Sequence, residues 1–294
     1  MKILVPFDFS IGSRSAVKFA VHLAHQLPGA ELDFLHAGTL VHTPRYVLSG
    51  MKIPSLAEQR EKLLAEMRNF VMRSQSQADK IHHAGRDVVQ RYHLLDTANS
   101  AGAILDTARV INADLIVMGT TGESNIRRIV MGSTTMKVIE SAPCPVLTVP
   151  LKHKLRAMKM IAVASELVNT DKELYLVHKL LEGLNAHYKV IHVYPVFPQK
   201  VLPSPEVVSR LSSKIEKFLS EDRYSFSLVK TSKDNELIIG LEKELSRLKP
   251  ALLVMFHRQR TWLDKLISRS ETATVAFHTK IPVLSVRTDL IKPR

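Results

Sequence analysis

Residues 115–149 read LIVMGTTGESNIRRIVMGSTTMKVIESAPCPVLTV, and residues 252–286 read LLVMFHRQRTWLDKLISRSETATVAFHTKIPVLSV. The two stretches align without a gap at an offset of 137, each opening on a strand-sized apolar run and closing on PVL(T/S)V. Self-similarity of this kind has to be read before any motif, because a missed repeat misassigns the whole fold. Working outward, MKILVPFDFS at 1–10 falls on MKMIAVASEL at 158–167 at an offset of 157, which makes the second copy shorter by 20 residues in its middle. The repeat divides the chain into domains at 1–150 and 151–294.

In the first copy, ILVPFD is a short apolar run suited to a buried strand, and Ser10 is placed to cap a helix over SRSAVKFAVHLAHQL. Ala16, Phe19, Ala20, Leu23 and Leu27 share one face of that helix. ELDFLHA is a second strand. A loop with Pro44 and Pro54 leads to a long amphipathic helix from Leu56 to Asp79. DVVQRYHL, DLIVMG and PVLTVP supply three further strands, separated by helices over AGAILDTARVINA and STTMKVIESA. Alternating strand and helix predicts an α/β fold of two tandem doubly wound domains, each a mostly parallel five-stranded sheet with helices on both faces. Ligands of such sheets bind outside the carboxyl ends of the strands, where the strand order reverses.

Composition narrows the function. The chain has 294 residues, 45% hydrophobic and 23% charged, the make-up of an ordinary globular protein. No stretch approaches the ~18 apolar residues of a membrane helix, and the short apolar block before Asp8 is not a secretory leader, so the expected compartment is the cytoplasm. A lone cysteine, Cys144, excludes a disulfide framework and a multi-cysteine metal site, and reads as a structural thiol. Net charge is +13, of which +10 falls after residue 150. The basic residues are scattered along helical stretches, which favours solvated faces over a nucleic-acid site. His82 and His83 are adjacent and point apart on any regular element, so no metal site is read there. Trp262 reads as part of an apolar helix or interface face.

The chemistry concentrates after the strand ending at Gly119. From there Gly119, Gly122 and Gly132 are spaced by two and nine residues, and Ser133 and Thr134 open a helix. A helix start offers free amides and a favourable dipole to a phosphate, yet glycines at such a place can also serve only to shape a turn. No GxxxxGK(S/T) occurs, and the first strand turn, FDFSIGS, lacks the dinucleotide fingerprint.

Gly-x2-Gly-x9-Gly-Ser at this position resembles the nucleotide-binding loop of the universal stress protein family. Pro6 and Asp8 after the first strand, Ser13 and Ala16 in the helix, His36 at the second strand end and APCPVLTVP at the close are further points of likeness. The resemblance covers 1–150 strongly and 158–290 through the repeat. It implies ATP, with Mg²⁺, lying across the strand ends. Pro6 and Asp8 would border the adenosine, Asp8 meeting a ribose hydroxyl or a metal-bound water. Ala37 would offer its backbone to the adenine edge, and Met118 and Gly119 would face the ribose. Gly122, Gly132, Ser133 and Thr134 would surround the phosphates. Asp8 has an alternative role, capping nearby backbone amides. Arg127 and Arg128, inside the glycine spacer, would reach a γ-phosphate or simply be solvated.

By the same offsets Pro6, Asp8, Gly119, Gly122 and Gly132 become Val163, Ser165, Phe256, Gln259 and Arg269, and only Ser133 persists, as Ser270. The second domain is therefore expected to have lost the nucleotide. The reading is a cytoplasmic ATP-binding stress or signalling protein with no catalytic or metal-ligating residues assigned. Its rivals are a slow ATPase switch using Asp8 with Arg127 or Arg128, and a nucleotide-free adaptor working through the basic second domain. The resemblance also implies a homodimer and edge pairing of the fifth strands at 145–149 and 282–286; a further protein partner is left unidentified.

Overall fold

The structure, a computed structural model, describes residues 1–39, 55–78, 88–120, 132–151, 153–197, 204–233, 237–257 and 280–290. It divides into two units, Met1–Leu155 and Arg156–Arg294.

The first unit runs β1 (Lys2–Pro6), α1 (Ile11–Gln26), β2 (Glu31–Gly38), α2 (Leu56–Ala78), β3 (Val89–Asp96), α3 (Ser100–Val110), β4 (Leu115–Gly119), α4 (Ser133–Ser141) and β5 (Val146–Val149). Its strands order as β3-β2-β1-β4-β5, and every pairing is parallel. Ile3, Leu4 and Val5 are wholly buried, as a central parallel strand covered on both faces requires. α1 packs on α2, and α3 on α4.

The helices begin where the sequence supplies caps. Ser10, in extended conformation, accepts from the Ser13 amide. Ser55 and Glu58 exchange reciprocal side-chain to amide bonds before α2, the capping-box arrangement. Asn99 accepts from Gly102 at α3. Gly29, at φ 68°, turns the chain after α1.

The second unit repeats this plan with β6 (Met160–Ala164), α5 (Thr170–Leu180), β7 (His187–Phe197), α6 (Pro205–Ile215), β8 (Tyr224–Lys233), α7 (Leu237–Leu248), β9 (Leu252–His257) and β10 (Val283–Arg287). Its order is β10-β9-β6-β7-β8, again parallel throughout. Each unit is thus a doubly wound α/β sheet. Much of the missing length is visible at α6, which has 11 residues where α2 has 23.

Strand register corrects the alignment of the two beginnings. Ile3 lies beside Leu115, and Ile161 beside Leu252. The Phe7 amide donates to Leu35 as the Ser165 amide donates to Ile191. The structural offset is therefore 158, so Pro6 corresponds to Ala164 and Asp8 to Glu166, in place of Val163 and Ser165. The physical reason is plain: two apolar runs slide past one another by a residue with no loss of pattern, and only backbone pairing fixes them.

One bond recurs in both units. His36 Nδ1 lies 2.9 Å from the Phe7 carbonyl, and His192 Nδ1 lies 2.9 Å from the Ser165 carbonyl. A carbonyl only accepts, so in each ring Nδ1 carries a proton. Both bonds tie the turn after the first strand of a unit to that unit's second strand.

Candidate functional site

The order β3-β2-β1-β4-β5 reverses between β1 and β4, and a crevice of about 610 Å³ opens there at the carboxyl ends of the strands. Its size falls within the usual range of small-molecule sites, about 300–1,000 Å³. Of the residues singled out from the sequence, Pro6, Asp8, Ala37, Met118, Gly119, Gly132, Ser133 and Thr134 all line it. Gly122, with Arg127 and Arg128, lies outside the described residues.

Each of these is held by local bonding. Asp8 Oδ1 accepts from the Ser10 amide at 3.1 Å, so the capping role exists, and the carboxylate still faces the crevice. The Ala37 carbonyl accepts from the Ser100 hydroxyl at 3.0 Å, which leaves one of its lone pairs. Gly119 needs no left-handed backbone. A Cβ there would stand 2.8 Å from both the carbonyl carbon and oxygen of Gly12, so glycine at 119 lets β4 and the first turn of α1 touch.

Gly132 is the N-cap of α4 at φ −63°, again an ordinary conformation, and its own amide donates to the Thr120 carbonyl at 2.9 Å. The Gly132 amide is thus engaged within the chain, and Gly132 can meet a phosphate only through its lack of a side chain. The amides that open toward a ligand belong to Ser133, Thr134 and Thr135, the first turn of α4, where no side chain supplies a cap. α1 and α3 are capped by Ser10 and Asn99. Thr135 donates its hydroxyl to the Gly119 carbonyl at 3.1 Å and fixes α4 against the end of β4.

Sequence reading missed an aromatic cluster that walls the crevice through Phe7 and His36 only. Phe7 stacks on Phe70 of α2 at 5.2 Å, and Phe9 meets both Phe70 and His36. Phe9 holds φ 63°, the left-handed region that a phenylalanine seldom enters, so the wall is built on a strained turn. The available signal was the pair of rings in PFDF beside a chemically marked Asp8. Ser13, named above as a point of likeness, also lines the crevice, as do Ser100 and Ile104, which were not foreseen.

Elsewhere, burial pushes the Cys144 thiol up to about 12, which leaves it inert at neutral pH, as a structural thiol should be. Among the described residues no cluster of three or more His, Cys, Asp or Glu could hold a metal ion, and no helix is long and apolar enough to cross a membrane. His82, His83 and Trp262 lie outside the described residues.

The second unit has a crevice of about 390 Å³ at the corresponding place, differently furnished. Phe256 stands where Gly119 stands, as the strand pairing confirms. The turn into α5 is five residues, 165–169, where that into α1 is four, 7–10. Ser165 donates to the buried Glu173 carboxylate at 2.9 Å and accepts from the Leu167 amide at 3.2 Å. Burial lowers the His257 imidazole to about 4, so His257 brings no positive charge to this crevice at neutral pH. The positions matching Gly122, Gly132 and Ser133 lie outside the described residues.

Comparison with known proteins agrees with this architecture. The model of the Universal stress protein family matches residues 1–150. Universal stress protein YxiE of Bacillus subtilis is 31% identical over 153 residues, spanning 50% of this chain and 97% of that protein. A universal stress protein of Methanocaldococcus jannaschii is 31% identical over 155 residues, spanning 52% of this chain and 84% of that protein. The crystal structure of a universal stress protein from Archaeoglobus fulgidus superposes with a TM-score of 0.66 at 15% identity, covering 97% of this chain and 98% of that one, a likeness of fold alone.

Proposed function

The chain belongs to the universal stress protein family, a stress-response family, and from that membership we propose that its first unit binds ATP with Mg²⁺ as a regulatory ligand. The observation that carries the reading is the uncapped start of α4 facing a crevice that also holds Asp8 and an apolar wall. Amides of Ser133, Thr134 and Thr135 have the direction and dipole to receive phosphate oxygens. Phe7, Ile104 and Met118 supply apolar surface for a purine, and Asp8 faces the space that a ribose hydroxyl or metal-bound water would take. Bound Mg²⁺ would neutralise phosphate charge; the chain's part is to orient the nucleotide.

Binding without efficient turnover fits the residues. Phosphoryl transfer wants a base on the nucleophile and a charged clamp on the γ-phosphate, and Asp8, the crevice's one carboxylate among the described residues, already caps Ser10. The protein therefore acts as a cytosolic nucleotide-responsive regulator, with the smaller second crevice not used for ATP.

Denaturing extraction of the purified full chain, followed by nucleotide chromatography, tests the proposal directly. Ser133→Glu sharpens it, since a carboxylate at an exposed first-turn position suits the helix dipole yet repels phosphate. ATP affinity should fall more than tenfold with no drop in unfolding midpoint. Unchanged ATP affinity in Ser133→Glu would put the phosphates elsewhere.

A further inference from the structure

At the opposite end of the second unit's strands, away from its crevice, β7 and β8 bring three side chains together. His187 Nε2 lies 2.7 Å from Ser225 Oγ, and Lys189 Nζ lies 3.1 Å from the same oxygen. His187 Nδ1 lies 3.0 Å from the Asp222 carbonyl, on the short turn before β8. That carbonyl can only accept, so Nδ1 bears a proton, and in the neutral ring Nε2 turns its lone pair to Ser225. Lysine only donates. The Ser225 hydroxyl thus gives its proton toward a base while its oxygen receives a cation's hydrogen bond.

These are the relations that activate a serine: nucleophile to base within hydrogen-bond reach, and the base oriented by a third group. We propose that Ser225 is an activated nucleophile that accepts an acyl group from an activated ester. In the step, Ser225 Oγ bonds to the ester carbonyl carbon and its proton passes to His187 Nε2. The ester C–O bond then breaks, and the departing oxygen takes that proton, leaving an acyl-serine and a free alcohol. Lys189 favours loss of the Oγ proton to His187, before the charge passes to the ester carbonyl oxygen.

The first unit shows what the same sheet positions hold when they serve only to tie strands. Asp33 pairs in register with Arg91 as Lys189 does with Ser225, and there Arg91 forms an ion pair with Glu31 at 2.6 Å while His93 Nε2 lies 2.7 Å from Asp33 Oδ1. In the second unit no carboxylate occupies those four places. Glu244, the acid nearby, is bound by Arg247 and Ser227. Ser225, His187 and Lys189 are each only partly buried, so a small electrophile can reach them.

The test treats the full chain with p-nitrophenyl acetate and follows p-nitrophenolate release together with peptide mapping by mass spectrometry. The expected result is an acetyl group on the peptide bearing Ser225, formed faster than at any other hydroxyl. Ser225→Ala removes the adduct. His187→Gln slows its formation by about a hundredfold or more, the scale of general-base assistance, and Lys189→Met slows it less. Thermal unfolding of each variant separates loss of chemistry from loss of fold. Absence of the Ser225 adduct, or an undiminished rate in folded His187→Gln, overturns the proposal.

Discussion

Gly119→Ala is the smallest change that reaches the contact between β4 and α1. The added methyl would stand 2.8 Å from Gly12 C and O and 3.2 Å from the Ser13 amide nitrogen, where ordinary contact needs about 3.5–4 Å. The obstructing atoms are backbone, so no side chain can rotate away and α1 has to shift by more than half an ångström. Gly119 is not among the residues at positive φ, so the cost is steric alone. Overpacking of this kind costs about 1–3 kcal/mol. At about 2–4 °C per kcal/mol for a domain of this size, the first unit's melting temperature should fall by roughly 2–12 °C. Calorimetry of the full chain reads this, with the second unit's transition as an internal reference. ATP affinity should fall in parallel, because a displaced α1 carries the Asp8–Ser10 turn with it. Gly29→Ala is the control: it strains a left-handed residue with nothing within 4 Å, and should lower stability by about 1 kcal/mol while sparing the ligand. An unchanged midpoint for Gly119→Ala would refute the steric account of that glycine.

Ser10→Ala removes the acceptor of the Ser13 amide and should cost about 1 kcal/mol in urea unfolding. The hydrogen bond from Arg247 holds the Glu244 carboxyl down at about 2, so the stability it lends is complete above the ordinary carboxylate range and is lost as pH falls through the folded value. Wild type and Glu244→Gln should differ at pH 5 and converge near pH 2 in denaturant titrations. Burial holds His257 at about 4, below its ordinary 6.5, so the unfolded chain takes up the proton first on acidification. The second unit should therefore weaken between about pH 6.5 and 4, and His257→Phe should flatten that slope in a thermal melt followed across pH.

Strand-sized apolar runs bounded by turn residues made the alternation of strand and helix legible, and PVLTV with PVLSV made the duplication so. Eight crevice residues were legible through the family resemblance, which the spacing of Gly119, Gly122 and Gly132 before Ser133 carried. The reasons for the glycines were not. Whether Gly119 serves a ligand or a neighbouring helix depends on Gly12, more than a hundred residues away. The aromatic wall was hidden for the same cause, since nothing local joins Phe7 to Phe70 of α2. The turn into α5, one residue longer than its counterpart, escaped because MKILVP and MKMIAV fit at either of two registers.

The pairing of Ile3 with Leu115 carries a consequence for the birth of the chain. Domains fold during synthesis, N-terminal parts first, at about 5–20 residues per second. β1 can gain β2 early, but its other edge stays open until β4 emerges, an interval of roughly 6–22 s at that pace. Through that interval Ile3, Leu4 and Val5 present an apolar, half-paired strand to any chaperone or neighbouring nascent chain. The second unit, closing Ile161 on Leu252, waits less. The danger to the central strand is thus set by the pace of the ribosome, a quantity written nowhere in the finished sheet.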